Sequence, residues 1–137
     1  MNQTRLATLL IVSAGLAVTN GNALANDAGD GDGEWVMYAE KANGDLYFFD
    51  PSRVERIKTL RHVWDGVRYK TSVMGASSFL SLLEINCSER TQRILQSTFF
   101  TDEHWENAAM KTDTKEKPKT KIAVGSTTER LAQMVCD

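Results

Sequence analysis

The chain of 137 residues contains only two cysteines, two prolines and two histidines. A four-ligand zinc site would need His62 and His104 together with both cysteines, and they stand at none of the spacings such sites use. No GxSxG elbow, phosphate loop, HExxH helix or paired CxxC occurs, so the common hydrolase, nucleotide-binding and metalloprotease signatures are all missing. An excess of one charge is missing too. With 16 Lys+Arg against 18 Asp+Glu, the formal net charge is −2, which gives no global field for nucleic acid. Past the N-terminus no second apolar run is long enough to span a membrane. The expectation is a non-enzymatic protein with no catalytic residues, no cofactor and no metal.

What is present begins with a leader. Arg5 supplies a positive start, residues 6–18 form an apolar stretch, and Ala23-Leu24-Ala25 is a small-x-small cleavage motif. Residues 1–25 therefore read as a cleaved signal peptide, and the rest as a protein exported to the periplasm or the cell surface. Residues 26–33 (NDAGDGDG) are acidic, glycine-rich and poor in apolar side chains. They resemble half of a calcium loop but lack its downstream glutamate, so a flexible mature N-terminus is expected. Residues 34–137 are left as one domain.

That domain reads as antiparallel sheet. Two aromatic-rich runs, 35–38 and 46–49, flank Asn43-Gly44, a dipeptide suited to a type I′ hairpin turn. Asp50-Pro51-Ser52 ends the second run, and Asp45 and Asp50 are placed to cap turns. A short strand over 54–57 follows. Residues 60–71 read as one long strand, with Asp65-Gly66 a bulge rather than a turn. The most strand-like stretch is 77–100. In its first half Phe79, Ser81, Leu83, Ile85 and Cys87 share one parity and hence one buried face.

Residues 101–125 carry Lys111, Lys115, Lys117, Lys119 and Lys121 among few apolar side chains, which predicts a long exposed loop with a weak strand near 121–124. Those five lysines are candidate contacts for a partner protein. His104 and Glu106 are expected to be solvated loop residues, and His62 a surface or cross-strand contact. Ser126-Thr127-Thr128-Glu129 is a capping box opening a short helix that presents Leu131, Met134 and Val135 on one face. Consecutive Phe48-Phe49 and Phe99-Phe100 must point to opposite sides of the sheet. Either loops cover the side away from the helix, or an apolar patch there serves a dimer or another partner. The fold class is α+β, about six antiparallel strands with a short C-terminal helix.

The runs LYFFDPSRV, HVWDGVRYK, GASSFLSLLEINCSERTQRIL and STTERLAQMVC resemble the bacterial surface-adhesin protein E family. The matching positions are Asp50, Ser52 and Arg53-Val54; Val63-Trp64; Glu84, Cys87 and Arg90; and Val135-Cys136. The chain departs from the family in its lysine loop and in a leader that carries no lipid-anchoring cysteine. The resemblance implies a six-stranded sheet with a disulfide-tethered helix, and a surface adhesin contacting host extracellular-matrix or plasma proteins. A periplasmic envelope protein that mainly forms a homodimer is the alternative.

In an oxidising compartment, pairing Cys87 with Cys136 is the expected fate of the two thiols. It closes a loop of about 50 residues, worth roughly 4 kcal/mol by chain entropy. Thiol labelling of the unreduced, denatured protein should find no free cysteine. Two reactive thiols would remove the tether.

Overall fold

A computed structural model describes residues 33–137; the leader and the acidic glycine-rich stretch up to residue 32 lie outside the described residues. The elements run β1 (Val36–Glu40), β2 (Leu46–Phe49), a 3-10 turn (Pro51–Arg53), β3 (Glu55–Ile57), β4 (Leu60–Val73), β5 (Ala76–Asn86), β6 (Thr91–Phe100), β7 (Thr120–Lys121) and α1 (Thr127–Val135). All strands belong to one antiparallel sheet in the order β1-β2-β4-β5-β6-β7, with β3 pairing β4 beyond the end of β2.

Local chemistry sets the turns. The first hairpin is not the expected type I′. Asn43 keeps a negative φ, and only Gly44, at φ +93°, enters the left-handed region. The Gly44 N–H donates to the Lys41 carbonyl and the Lys41 N–H to the Asp45 carbonyl, giving a three-residue loop. The turn with two positive φ values is instead Met74-Gly75, between paired Val73 and Ala76. Asp50 caps the 3-10 turn, accepting from the Ser52 N–H at 2.9 Å and from Arg53 Nε at 2.6 Å. At the β5–β6 turn Asn86 Oδ1 accepts from Ser88 N and Glu89 N.

The single long strand over β4 is borne out, without a bulge at Asp65-Gly66: pairing to β5 is continuous from Leu60 to Arg68. Gly66 is there for space. The edge of the Trp105 indole lies on it, and a Cβ would sit 2.6 Å from Trp105 Cζ2. Position 66 is thus closed to any side chain.

The sheet is buried on both sides, not on the Phe79–Ile85 side alone. On one side Tyr38, Phe49, Val63, Leu83 and Ile85 pack with Leu131, Ala132 and Val135 of α1. Ala132 takes the place expected for Met134, which is 47% exposed. On the other side Trp64, Leu80 and Phe100 pack under Trp105, joined by Trp35 and Phe48. The segment 101–119 that supplies Trp105 is not a free loop. It runs along the outer edge of β6, with mutual backbone bonds between Ser97 and Asp113 and further bonds from Ala109 N to Phe99 O and Lys117 N to Ile94 O. The weak strand it ends in lies at Thr120–Lys121, one step earlier than expected. Trp105 is therefore core, with its Nε1 donating to the Phe79 carbonyl at 3.1 Å. Loops cover the far side; Phe100 is fully buried there.

Helix α1 is held at both ends. Ser126 Oγ accepts from the Glu129 N–H, and the Glu129 carboxylate reaches back to the Gly125 N–H. At the C-terminus Arg61 Nε donates to the Val135 carbonyl at 3.0 Å, placing a cation on the negative end of the helix. The next residue, Cys136, is bonded to Cys87.

Gly66→Ala should force the Trp105 indole off the sheet. The expected cost is about 1–3 kcal/mol of overpacking, read by urea unfolding, with tryptophan emission moving to longer wavelength. Wild-type stability and emission in this variant would show that Trp105 does not rest on Gly66.

Candidate functional site

Dimensions explain why one part of the sheet is left open. At 1.5 Å per residue, nine-residue α1 is about 14 Å long, while fourteen-residue β4 at 3.3 Å per residue reaches about 46 Å. The helix covers the end of the sheet built by Val63, Leu83 and Ile85. Past its N-terminus the same face continues as a groove of about 510 Å³. Tyr47, Val67, Tyr69, Phe79, Leu83 and Ile94 supply its apolar walls, and Lys117, Pro118 and Thr120 form its rim. Phe79 and Phe99 lie against each other with centroids 4.7 Å apart. A larger hollow of about 670 Å³ opens between β1 and the start of α1, beside Glu40, Lys41 and Arg130. It gathers no desolvated charge, so the chemistry favours the aromatic groove.

The groove has one ionisable group on its floor. Asp65 shares its parity on β4 with Val63, Val67 and Tyr69, and so sits on the apolar side. Desolvation pushes its carboxyl up to about 7, against the opposing effect of a hydrogen bond donated by the Tyr38 hydroxyl to Oδ1 at 2.7 Å. Tyr38 is aimed there by a bulge: the pairing steps from Met37–Phe48 to Ala39–Tyr47, which leaves Tyr38 as the extra residue. Burial raises the Tyr38 pKa, and the Asp65 charge raises it further. Among the described residues Oδ2 of Asp65 makes no hydrogen bond, so one carboxylate oxygen is available from the groove.

The charges at the rim are already paired. Lys117 Nζ lies 2.7 Å from Asp113, and Arg93, turned to the opposite face of the sheet, bridges Glu84 at 2.8 Å and Glu116 at 3.3 Å. Glu84 also meets His62 Nε2 at 2.9 Å, the cross-strand contact expected of that histidine. Burial works against ionisation of Glu84, yet its bonds to Arg93 and His62 hold its carboxyl below the usual range.

Of the five lysines, Lys117 lines the groove and Lys121 donates to the Glu89 carbonyl at 3.2 Å. Lys111, Lys115 and Lys119 are exposed along the same edge segment. His104 is exposed and Trp105 buried, so that tripeptide forms no acid–base pair. Asp65 went unnoticed in the sequence as part of an Asp-Gly pair. The signal was its position, the one acid in the apolar series 63, 65, 67, 69. Among the described residues no three His, Cys, Asp or Glu side chains cluster as metal ligands, and no helix is long and apolar enough to cross a membrane.

A carboxyl whose pKa rises on folding binds its proton more tightly in the native state. Asp65 therefore lowers stability as pH climbs from its unfolded value near 4 to about 7, and the full cost is present above that. Asp65→Asn keeps an acceptor for Tyr38 and removes the charge. Urea unfolding should show the variant gaining on the wild type across that interval. A constant difference between about pH 4 and pH 8 would mean that Asp65 is solvated.

The fold has solved counterparts. The structure of Haemophilus influenzae protein E is similar to this chain at 14% identity, with a TM-score of 0.60 over 74% of this chain and 83% of that one. Its crystal form II is similar at 15% identity, with a TM-score of 0.58 over 74% and 86%. No curated protein matches the sequence. The family description surface-adhesin protein E matches residues 35–137, nearly every residue the structure describes, and the chain belongs to that family.

Proposed function

We propose that this protein is an exported, non-enzymatic binding module of the adhesin type, and that it holds a partner protein in the aromatic groove beside α1. The observation that carries the reading is the part of the sheet left uncovered by a helix too short for it. Tyr47, Tyr69 and Phe79 stay partly exposed there on a rigid sheet, the aromatic type that dominates binding energy when a partner desolvates it. Lys111, Lys115 and Lys119, exposed along the same edge segment as the rim residue Lys117, add charge that steers encounter more than it strengthens the complex. Among the described residues the groove brings together no nucleophile and histidine, which supports binding over hydrolysis.

Family membership supports a surface-exposed protein. Host extracellular-matrix or plasma proteins are the partners we propose, reached after removal of residues 1–25 as a signal peptide. The second reading, a periplasmic protein that pairs with its own copy, draws on the same uncovered groove.

Capture of the purified protein on a panel of immobilised matrix and plasma proteins tests the first reading. The double variant Tyr69→Ala/Phe79→Ser should lose at least tenfold in affinity, on the order of 2 kcal/mol or more for buried aromatic contacts. Lys115→Glu/Lys119→Glu should chiefly slow association and flatten its salt dependence. No capture by any of the panel, together with a dimer mass in solution that the groove variant abolishes, would replace adhesion with self-association.

A further inference from the structure

The groove combines a carboxylate floor with aromatic walls, and that pairing selects a ligand class. We infer that the groove receives a basic side chain of the partner, an arginine or lysine, with its cationic head on Asp65 Oδ2 and its stem between Tyr69 and Phe79. The inference rests on the binding role proposed for this groove and names the chemistry of what enters it.

Three observations converge on a cation. Asp65 Oδ1 is taken by the Tyr38 hydroxyl while Oδ2 is without a hydrogen bond among the described residues, so one end of the carboxylate is free for a charge-assisted bond. Aromatic faces attract cations, and the chain already uses these rings in that way: Lys41 Nζ lies 5.4 Å above the Tyr47 ring. The volume of about 510 Å³ falls within the range of about 300–1,000 Å³ typical of ligand pockets, ample for one long side chain.

The groups facing Asp65 agree. From β1 comes Tyr38, from β2 Tyr47 and from β4 Tyr69, whose own hydroxyl is raised by burial and by the charges of Tyr47 and Asp45. From the edge segment comes Lys117, whereas Arg93 of β6 pairs with Glu84 and so turns its side chain to the opposite face of the sheet. Both cations are paired with acids other than Asp65. The negative end of the groove is therefore not compensated by a cation among the described residues. A bound cation would stabilise the ionised carboxylate, so binding strengthens as pH rises through about 7 and weakens below it.

An NMR titration of the disulfide-bonded protein with N-acetyl-arginine methylamide tests this, with the citrulline analogue as the neutral isostere. Saturable shifts at Asp65, Tyr69 and Phe79 should appear at about pH 8, be at least tenfold weaker at about pH 5, and vanish with citrulline. Asp65→Asn should abolish them. Equal shifts from the citrulline derivative would leave an apolar groove with no charge selectivity and overturn the inference, as would unchanged binding in Asp65→Asn or no response to the arginine derivative at any concentration tried. The two readings fail separately. If the arginine derivative does not bind while Tyr69→Ala/Phe79→Ser still lowers capture of a matrix protein, the groove is the contact surface and its occupant is not cationic.

Discussion

Among the described residues, a sheet with two apolar faces has been given one helix, and that helix is too short for either. The shape of this protein follows from the mismatch. Nine residues with a capping box would be marginal in isolation, and the end of the helix depends on two long-range ties. Cys136 bonds to Cys87 at the start of the β5–β6 turn, and Arg61 reaches from β4 to the Val135 carbonyl. One tie is covalent and limits the unfolded chain; the other supplies a donor to a helix end that would otherwise lack one. They fix α1 over the Val63–Ile85 end of the sheet and nowhere else.

The opposite face is closed by a different device. With no second helix among the described residues to place there, the chain lays residues 101–119 along the edge of β6 and folds one indole under the sheet. Trp105 sits in a left-handed backbone conformation, φ +58°, which costs free energy for a bulky residue and is tolerated because its surroundings fix it. Asp102 accepts from the backbone N–H groups of His104, Glu106 and Asn107, and Arg68 spans the ring at 5.0 Å while donating to the Glu103 carbonyl. The same segment blunts the outer edge of β6, which would otherwise be an unpaired template for aggregation. Its two tasks explain why a stretch rich in lysine and poor in apolar residues is ordered.

Much of this was legible in the residues. Aromatic-rich and alternating apolar runs marked β2, β4, β5 and β6, the capping box marked α1, and the two cysteines marked each other. What escaped was carried by single side chains that act over long sequence distances. Nothing local distinguishes Trp105 from a solvated loop residue; its burial depends on Gly66, 39 positions earlier, having no Cβ. Arg61 reads as a surface charge until the helix end arrives above it. Asp65 was hidden for the opposite reason. Beside a glycine it resembled turn chemistry, and only the parity of β4 exposed it as an acid on the apolar face.

Asp65 is also the place where stability and the proposed role pull in different directions. A carboxyl held up to about 7 is a cost in the free protein, and an asparagine would meet Tyr38 as well. A residue that costs stability without a structural task is what a binding surface leaves behind. The alternative, that Asp65 fixes the β1 bulge through Tyr38, accounts for Oδ1 alone. It leaves Oδ2 with no donor among the described residues, in a residue that lines the groove. A desolvated oxygen with an open approach gains most from a donor that arrives with its own charge, because a charged hydrogen bond is worth roughly twice a neutral one. The uncovered end of the sheet therefore has more than apolar area to offer a partner: it has one unmet electrostatic demand, at a fixed position on a rigid strand.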